Sequence, residues 1–384
     1  MKNPTIEQLQ ADHFEEALDF INMVFSLASR PTDFKVILPD LYQPTDEHMS
    51  AHHVIRERGR IKALVGIYPG HYVVGRTKLS MARIGAVSTH PDARMKGYMS
   101  ALMDHVRSVI RIARYDIAYL GGARHRYLPF GFEKCGHQPV FQVTKRSLER
   151  GIRTSDRLTL FPCENDAERI DTLHELYERQ TFYFKRDRKA FYRIAHHWYN
   201  TPFQIELGGR SVGYLIASKD RKRIEEIVCE EGVDVTAVIH AYFEAHEVDA
   251  CRIVVHPLAP RMMQRIFTVS ESVSIHDRDN WSILAFERVL RTLMRAKHDV
   301  LPLLEGRMVI EIVDRDRYEI AVSSQGITVE RTERTPDISV SDPDAHRLFF
   351  GPLHPHRVIE IPSRLAFIEQ WFPLPLFLSS PDFA

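Results

Sequence analysis

Apolar positions along the first third of the chain switch between two periods. Phe14, Ala17, Leu18, Ile21 and Phe25 recur every three or four residues, which predicts a helix over Ala11–Phe25. Arg60–Tyr68 and Tyr72–Val74 read as strands separated by a Pro69-Gly70 turn, and Met81–Thr89 as a further strand. Tyr98–Arg114 returns to helical spacing: Met99, Leu102, Met103, Val106, Ile110 and Ala113 share one face. Asp116–Leu120 is a short strand ending at Gly121-Gly122, and Val140–Thr144 is another.

A polar stretch, Glu149–Asp156, reads as a linker. Beyond it the order partly repeats: a helix Ala167–Gln180, an aromatic helical stretch Lys189–Tyr199, and strands Phe203–Leu207, Val212–Ala217 and Ile224–Cys229. A helix Val233–Ala245 and a strand Cys251–Val255 follow. The elements resemble those of the first segment and the motifs do not, so a duplicated unit and an unrelated mixed unit of similar size both fit. From about Leu301 short alternating strands appear (Arg307–Val313, Arg317–Val322, Gly326–Arg331), then a helix Asp342–Phe350. The tail from Trp371 carries Pro373, Pro375 and Pro381 and is expected to be extended.

Composition narrows the function classes. The chain has 384 residues, enough for two or three domains at about 150 residues each. Lys+Arg 51 balances Asp+Glu 51, which removes the electrostatic footprint of a nucleic-acid binder. Cys135, Cys163, Cys229 and Cys251 form no CxxC pair, so neither a zinc site nor a disulfide framework is expected. No apolar run reaches the roughly 18 residues of a membrane span, and the N-terminus lacks the pattern of a signal peptide. The expectation is a soluble, cytoplasmic enzyme or binding protein without a metal or a membrane partner.

Chemistry concentrates in Ile84–Phe132. A strand enters the loop Pro91–Lys96, and Gly97 opens an amphipathic helix. N–H groups in that loop and first helical turn have no intrahelical partner and can bind an anion, with Arg94 and Lys96 adding positive charge. The same residues also suit a plain exposed loop. Further on, His196-His197 has no carboxylate or cysteine at ligand spacing. The aromatic residues Tyr183, Phe184, Phe191, Tyr192, Trp198 and Tyr199 fit either a core or the wall of an acceptor pocket.

Val87-Ser88-Thr89-His90-Pro91 followed by Arg94-Met95-Lys96-Gly97 resembles the acetyl-CoA motif of GNAT acetyltransferases, and Tyr127-Leu128-Pro129-Phe130-Gly131-Phe132 resembles their Y-x-x-x-GF segment. Met99 stands where a small residue is usual, which is similar to the Eis-like (enhanced intracellular survival) branch. The resemblance implies an α+β (mixed α/β) chain of three domains: a catalytic GNAT domain 1–148, a motif-less GNAT-like domain 149–298, and a sterol-carrier-protein-like domain 299–384.

It further implies an acetyl-CoA-dependent N-acetyltransferase. The amine of a small-molecule or peptide acceptor would attack the thioester directly. Val87, Ser88 and Thr89 would hold the pantetheine arm and polarise the carbonyl, Arg94, Met95, Lys96, Gly97, Tyr98, Met99 and Ser100 would cradle the pyrophosphate, and Gly122 and Ala123 would lie along the arm. Tyr127 matches the general acid; packing beside Phe130 and Phe132 is its alternative role. In the branch the C-terminal carboxylate is the base. Here that is Ala384, where a bulky aromatic is common, and Asp382 is the alternative. An α-carboxyl with a pKa of ~3.5 is a weak base unless burial raises it. The branch also implies a closed homo-oligomer, a hexamer being favoured. The competing reading is a catalytically vestigial protein whose C-terminal domain binds an apolar ligand.

Overall fold

The computed structural model describes residues 4–28, 30–151 and 158–384. Most of the expected linker, residues 152–156, lies outside them, while Glu149–Gly151 closes a helix Lys145–Gly151. The strands run in chain order β1 Ile6–Gln8, β2 His52–Glu57, β3 Arg60–Val74, β4 Thr77–Thr89, β5 Ile117–Leu120 and β6 Glu133–Lys134. Next come β7 Gln138–Thr144, β8 Leu158–Pro162, β9 Phe182–Phe184, β10 Thr201–Leu207, β11 Arg210–Ala217, β12 Arg223–Cys229, β13 Ala250–Val254, β14 Ser270–His276 and β15 Asn280–Ile283. Last are β16 Gly306–Ile312, β17 Arg317–Ser323, β18 Gly326–Arg331 and β19 Ile338–Val340.

Among the described residues these strands form three sheets in a mixed α/β fold. Their orders are β1-β2-β3-β4-β5-β15-β6 with β9 on the far end of β3, β14-β7-β13-β12-β11-β10-β8, and β18-β17-β16-β19. Three strands cross between the first two sheets' sequence ranges, β9 joining β3 being one. β7 pairs with β13 and β14, while β15 inserts antiparallel between β5 and β6. A cut at 148/149 therefore leaves two strands of the first sheet, β9 and β15, and one of the second, β7, on the other side.

Pro69-Gly70 is not a turn. β3 runs through both, with Pro69 opposite Ala82 and Gly70 opposite Met81. Proline is tolerated because on the other side β2 ends opposite Gly66 and β9 begins only opposite Tyr72, so Pro69 faces a gap that needs no donor. Gly70 is required by packing: a Cβ there would lie 2.1 Å from the Phe184 ring. The stretch Lys189–Tyr199 divides into Phe191–Ala195 and a separate turn His197–Tyr199, with Trp198 and Tyr199 at positive φ.

Helix Tyr98–Ile112 covers one face of the first sheet, burying Leu102, Met103, Val106 and Ile110 against Ile55, Val65, Ala82 and Ile84. The opposite face shares its core with the third sheet. A helix not anticipated from sequence, Phe286–Val300, lies between them and buries Phe286, Val289, Leu290, Leu293 and Met294. The tail is extended and buried: Phe372, Leu374, Leu376, Leu378 and Phe383 are each at most 8% exposed. It leads the C-terminus back to β4. No described helix is long and apolar enough to cross a membrane.

Candidate active site

β4 is built around a defect. Ser88 faces Leu64 and Gly85 faces Gly66, so β4 spends three residue steps where β3 spends two. The extra residue is a bulge, and Ala86 takes φ +51° to make it. The parallel pairing of β4 with β5 ends at Ile84 opposite Leu120. Beyond that point the two strands part, and the β4 backbone from Gly85 onward has lost its β5 partner.

A cavity of about 490 Å³ opens in this fork. Gly85, Ala86 and Val87 form its floor, Gly121, Gly122, Arg126 and Tyr127 one side, and Phe25, Phe34 and Trp198 an aromatic rim. Tyr127 is 7% exposed, and burial pushes its phenol above the ordinary value while Arg126 pulls the other way. Gly122 has φ +115°, and a Cβ there would come within 3.0 Å of the Tyr127 ring. Asn280 of β15 ties this corner down by donating to the carbonyls of Leu120 and Gly122, each at 3.0 Å.

Ala384, at the end of the chain, lines the same cavity. A Cβ on Gly85 would sit 2.7 Å from its carboxyl carbon, so glycine at 85 is what lets the terminus lie on the strand. Asp279 also lines it; the Tyr119 hydroxyl donates to Oδ2 at 2.7 Å, and burial raises the Asp279 carboxyl above the usual range.

Asp382 is placed otherwise. Both its oxygens accept from Arg186, at 2.8 and 2.9 Å, and Arg186 also makes a two-pronged contact with Glu226 at 2.9 and 2.7 Å. The Tyr214 hydroxyl donates to Glu226 at 2.6 Å, and Arg83 of β4 donates to the Asp382 carbonyl at 3.0 Å. Burial disfavours every charge here, yet the two carboxylates outweigh it at Arg186 and hold the guanidinium protonated. Burial raises the Asp382 carboxyl itself although Arg186 pulls it down, but with both oxygens taken by Arg186 it has none free to accept a substrate proton.

The loop motif lies farther along. Arg94, Met95, Lys96, Gly97 and Ser100 are exposed, while Tyr98 and Met99 are half-buried. Met95 (φ +65°) and Gly97 (φ +80°) are both left-handed, and a Cβ on Gly97 would meet nothing within 4 Å. Helix Tyr98–Ile112 starts without a side-chain cap, so its first N–H groups face open space. Lys96 is engaged by Glu57 at 3.0 Å, and the Tyr98 hydroxyl donates to the same carboxylate. Ser88 is buried with an unpartnered hydroxyl, Val87 and Thr89 are half-buried, and Ala123 opens the short turn Arg124–Tyr127. Among the described residues no group of three or more His, Cys, Asp or Glu could hold a metal ion.

Structure thus brings Val87, Gly122, Tyr127 and Ala384 to one cavity and leaves the Arg94–Ser100 loop on an adjoining surface. The aromatic stretch divides between the two roles open to it: Phe191 packs in a core with Tyr177 and Tyr214, whereas Trp198 lines the cavity. His197 is buried with Nδ1 2.8 Å from the Pro381 carbonyl oxygen. Sequence reasoning missed Gly85, Ala86, Arg126, Asp279 and the Arg83–Arg186–Glu226 group. Only Arg83 carried a signal, as a charge in the apolar run Met81–Val87.

Residues 5–135 match the family described as acetyltransferase (GNAT) domain. No curated protein sequence matches the chain. Among solved structures, a probable N-acyltransferase from Enterococcus faecalis V583 is similar over 100% of both chains, with TM-score 0.70 and 14% identity. A GCN5-related N-acetyltransferase from Anabaena variabilis is similar over 99% of this chain and 100% of its own, with TM-score 0.69 and 17% identity. Eis1 from Mycobacterium abscessus is similar over 97% and 99%, with TM-score 0.68 and 16% identity. At these identities the likeness is one of fold.

Proposed function

We propose that the protein is an acetyl-CoA-dependent N-acetyltransferase that moves an acetyl group to a primary amine by direct attack on the thioester. The observation that carries this is the convergence of Tyr127 and the Ala384 carboxylate on one cavity at the β4 bulge, from distant parts of the sequence. In this reading the unpaired β4 edge at Val87–Thr89 orients the thioester and polarises its carbonyl. Ala384 accepts the ammonium proton, and Tyr127 delivers a proton to the departing sulfur. The chain's fit to the cofactor rests on three features: the open space at Gly97, the uncapped helix N-terminus, and Gly122 and Ala123 beside Tyr127. Arg94 adds charge there, and Lys96 is held by an exposed, exchangeable pair.

The reading includes the division 1–148, 149–298 and 299–384, a cytoplasmic location, and a sterol-carrier-like architecture for the last unit. Its interior is filled by Met308, Ile310, Ile320, Leu348, Phe349, Phe350 and Trp371, all fully buried, which favours the enzyme over an apolar-ligand carrier. A homo-oligomer, with a hexamer favoured, completes it; a monomer mass by light scattering at micromolar concentration would contradict that part. The enzyme itself is tested by thiol release from acetyl-CoA with aminoglycosides, polyamines and peptide lysines. Release with none of them would count against it.

A further inference from the structure

The tail is held in two stages with different chemistry. As far as Leu376 the third unit and its neighbours secure it: the Lys297 ammonium donates to the carbonyls of Gln370, Trp371 and Pro373, and the His137 N–H to that of Leu376. Past Leu378 charged groups from elsewhere take over, alongside the neutral His197 ring on the Pro381 carbonyl. Arg186 follows β9, Glu226 lies on β12, and Arg83 lies on β4.

We propose that the buried Arg186–Asp382 pair, braced by Glu226 and Arg83, is a latch through which the unit lacking the acetyl-CoA motifs seats the Ala384 carboxylate, so that Arg186 and Asp382 are positioning residues for acyl transfer. The proposal rests on the reading of Ala384 as the base. Two guanidinium groups and two carboxylates balance in charge while Arg186 and Asp382 are each 1% exposed. Apolar packing alone would tie down an extended tail as well, but it tolerates sliding. A two-pronged guanidinium contact has one geometry and sets the register of the chain.

Ala384 is two residues past Asp382, and each Cα step is about 3.8 Å, so the terminus cannot stray from where the latch puts it. Phe383 removes most of the remaining freedom. Its ring stacks on Tyr119 at 5.4 Å with the Arg278 guanidinium 4.5 Å from its centre.

The test uses the full-length protein and two variants, read first by a carboxypeptidase. Asp382→Asn keeps the shape and leaves Arg186 paired with Glu226. Arg186→Lys keeps the charge and loses the fork. Both should release Ala384 and Phe383 at least about tenfold faster than wild type under native conditions, as a buried charged pair is broken. Turnover of acetyl-CoA with an accepted amine should fall by a similar factor in kcat, with CoA affinity by calorimetry unchanged. Release as slow as wild type in both variants overturns the latch, as does fast release with full kcat. A variant lacking Ala384 separates the two failures. If it is fully active, the base reading has failed; if it is inactive while Asp382→Asn is fully active, the latch alone has.

Discussion

The first two sheets solve the same structural problem and differ most at the start of the helix that connects the two strands of the parallel pair. In the first unit, Gly97 has no side chain to offer, and the N-terminus of Tyr98–Ile112 faces open space beside Arg94. In the second, Asp234 precedes the helix Val235–His246, and its carboxylate accepts from the Thr236 N–H at 3.0 Å and from the Thr236 hydroxyl at 2.9 Å. Arg265 pairs with the same carboxylate at 2.8 Å. A helix N-terminus that supplies its own anion has no use for a phosphate. The strands share a defect and use it differently. β4 bulges at Ala86 just past the end of its pairing with β5, and β12 bulges at Glu225 just past the end of its pairing with β13. In β12 the next residue, Glu226, is committed to Arg186. One unit keeps its orphan groups for a ligand, and the other spends them on the fold.

Removing the reactive groups should break this contrast most severely. Tyr127→Phe keeps the ring and its packing but removes the proton; turnover should fall about 100- to 10,000-fold, with CoA affinity by calorimetry unchanged. Deleting Asp382–Ala384 should cost a comparable factor in the same thiol-release assay, and full activity would move the base elsewhere.

Acid should expose the second unit's structural part. Burial, with Arg83 and Arg186 nearby, lowers His197 from 6.5 to about 3. The unfolded chain therefore takes up this proton first, so the stability His197 contributes is present above about pH 6.5 and is lost as pH falls towards 3. By pH 5 that is about 2 kcal/mol for this one residue, measurable by denaturant melts at pH 7 and pH 5. His197→Gln should flatten that slope.

Two exchanges at the helix starts should sharpen the comparison. Gly97→Asp gives the first unit the second's carboxylate, at the place where a pyrophosphate would bind. CoA affinity should weaken about tenfold or more by like-charge repulsion, with a stability loss of about 1–2 kcal/mol from the left-handed backbone at 97. The smallest effect is expected from Asp234→Ala: a loss of about 1 kcal/mol of stability with CoA binding intact. CoA binding that survived Gly97→Asp undiminished would remove the pyrophosphate assignment.

Local patterns carried the parts of this protein that depend on near neighbours. The helix Tyr98–Ile112 was legible because its buried residues recur every three or four positions, and the loop before it because Arg94, Lys96 and Gly97 lie next to one another. The mixed α/β class followed from the order of such segments, while only the resemblance of its segment to a family motif points to Tyr127. What the tertiary structure alone decided involves partners far apart in sequence, for which no spacing exists. β15 enters the first sheet 160 residues after the strand it joins, as the Asn280 contact to Leu120 records. Pro69 is tolerated inside a strand only because two other strands leave a gap beside it. Arg186 meets Asp382 across 196 residues, and Arg83 reaches the same tail across 299. Each is a choice of which edge, gap or charge a segment finds when the chain closes, and burial energy makes that choice for the whole fold at once.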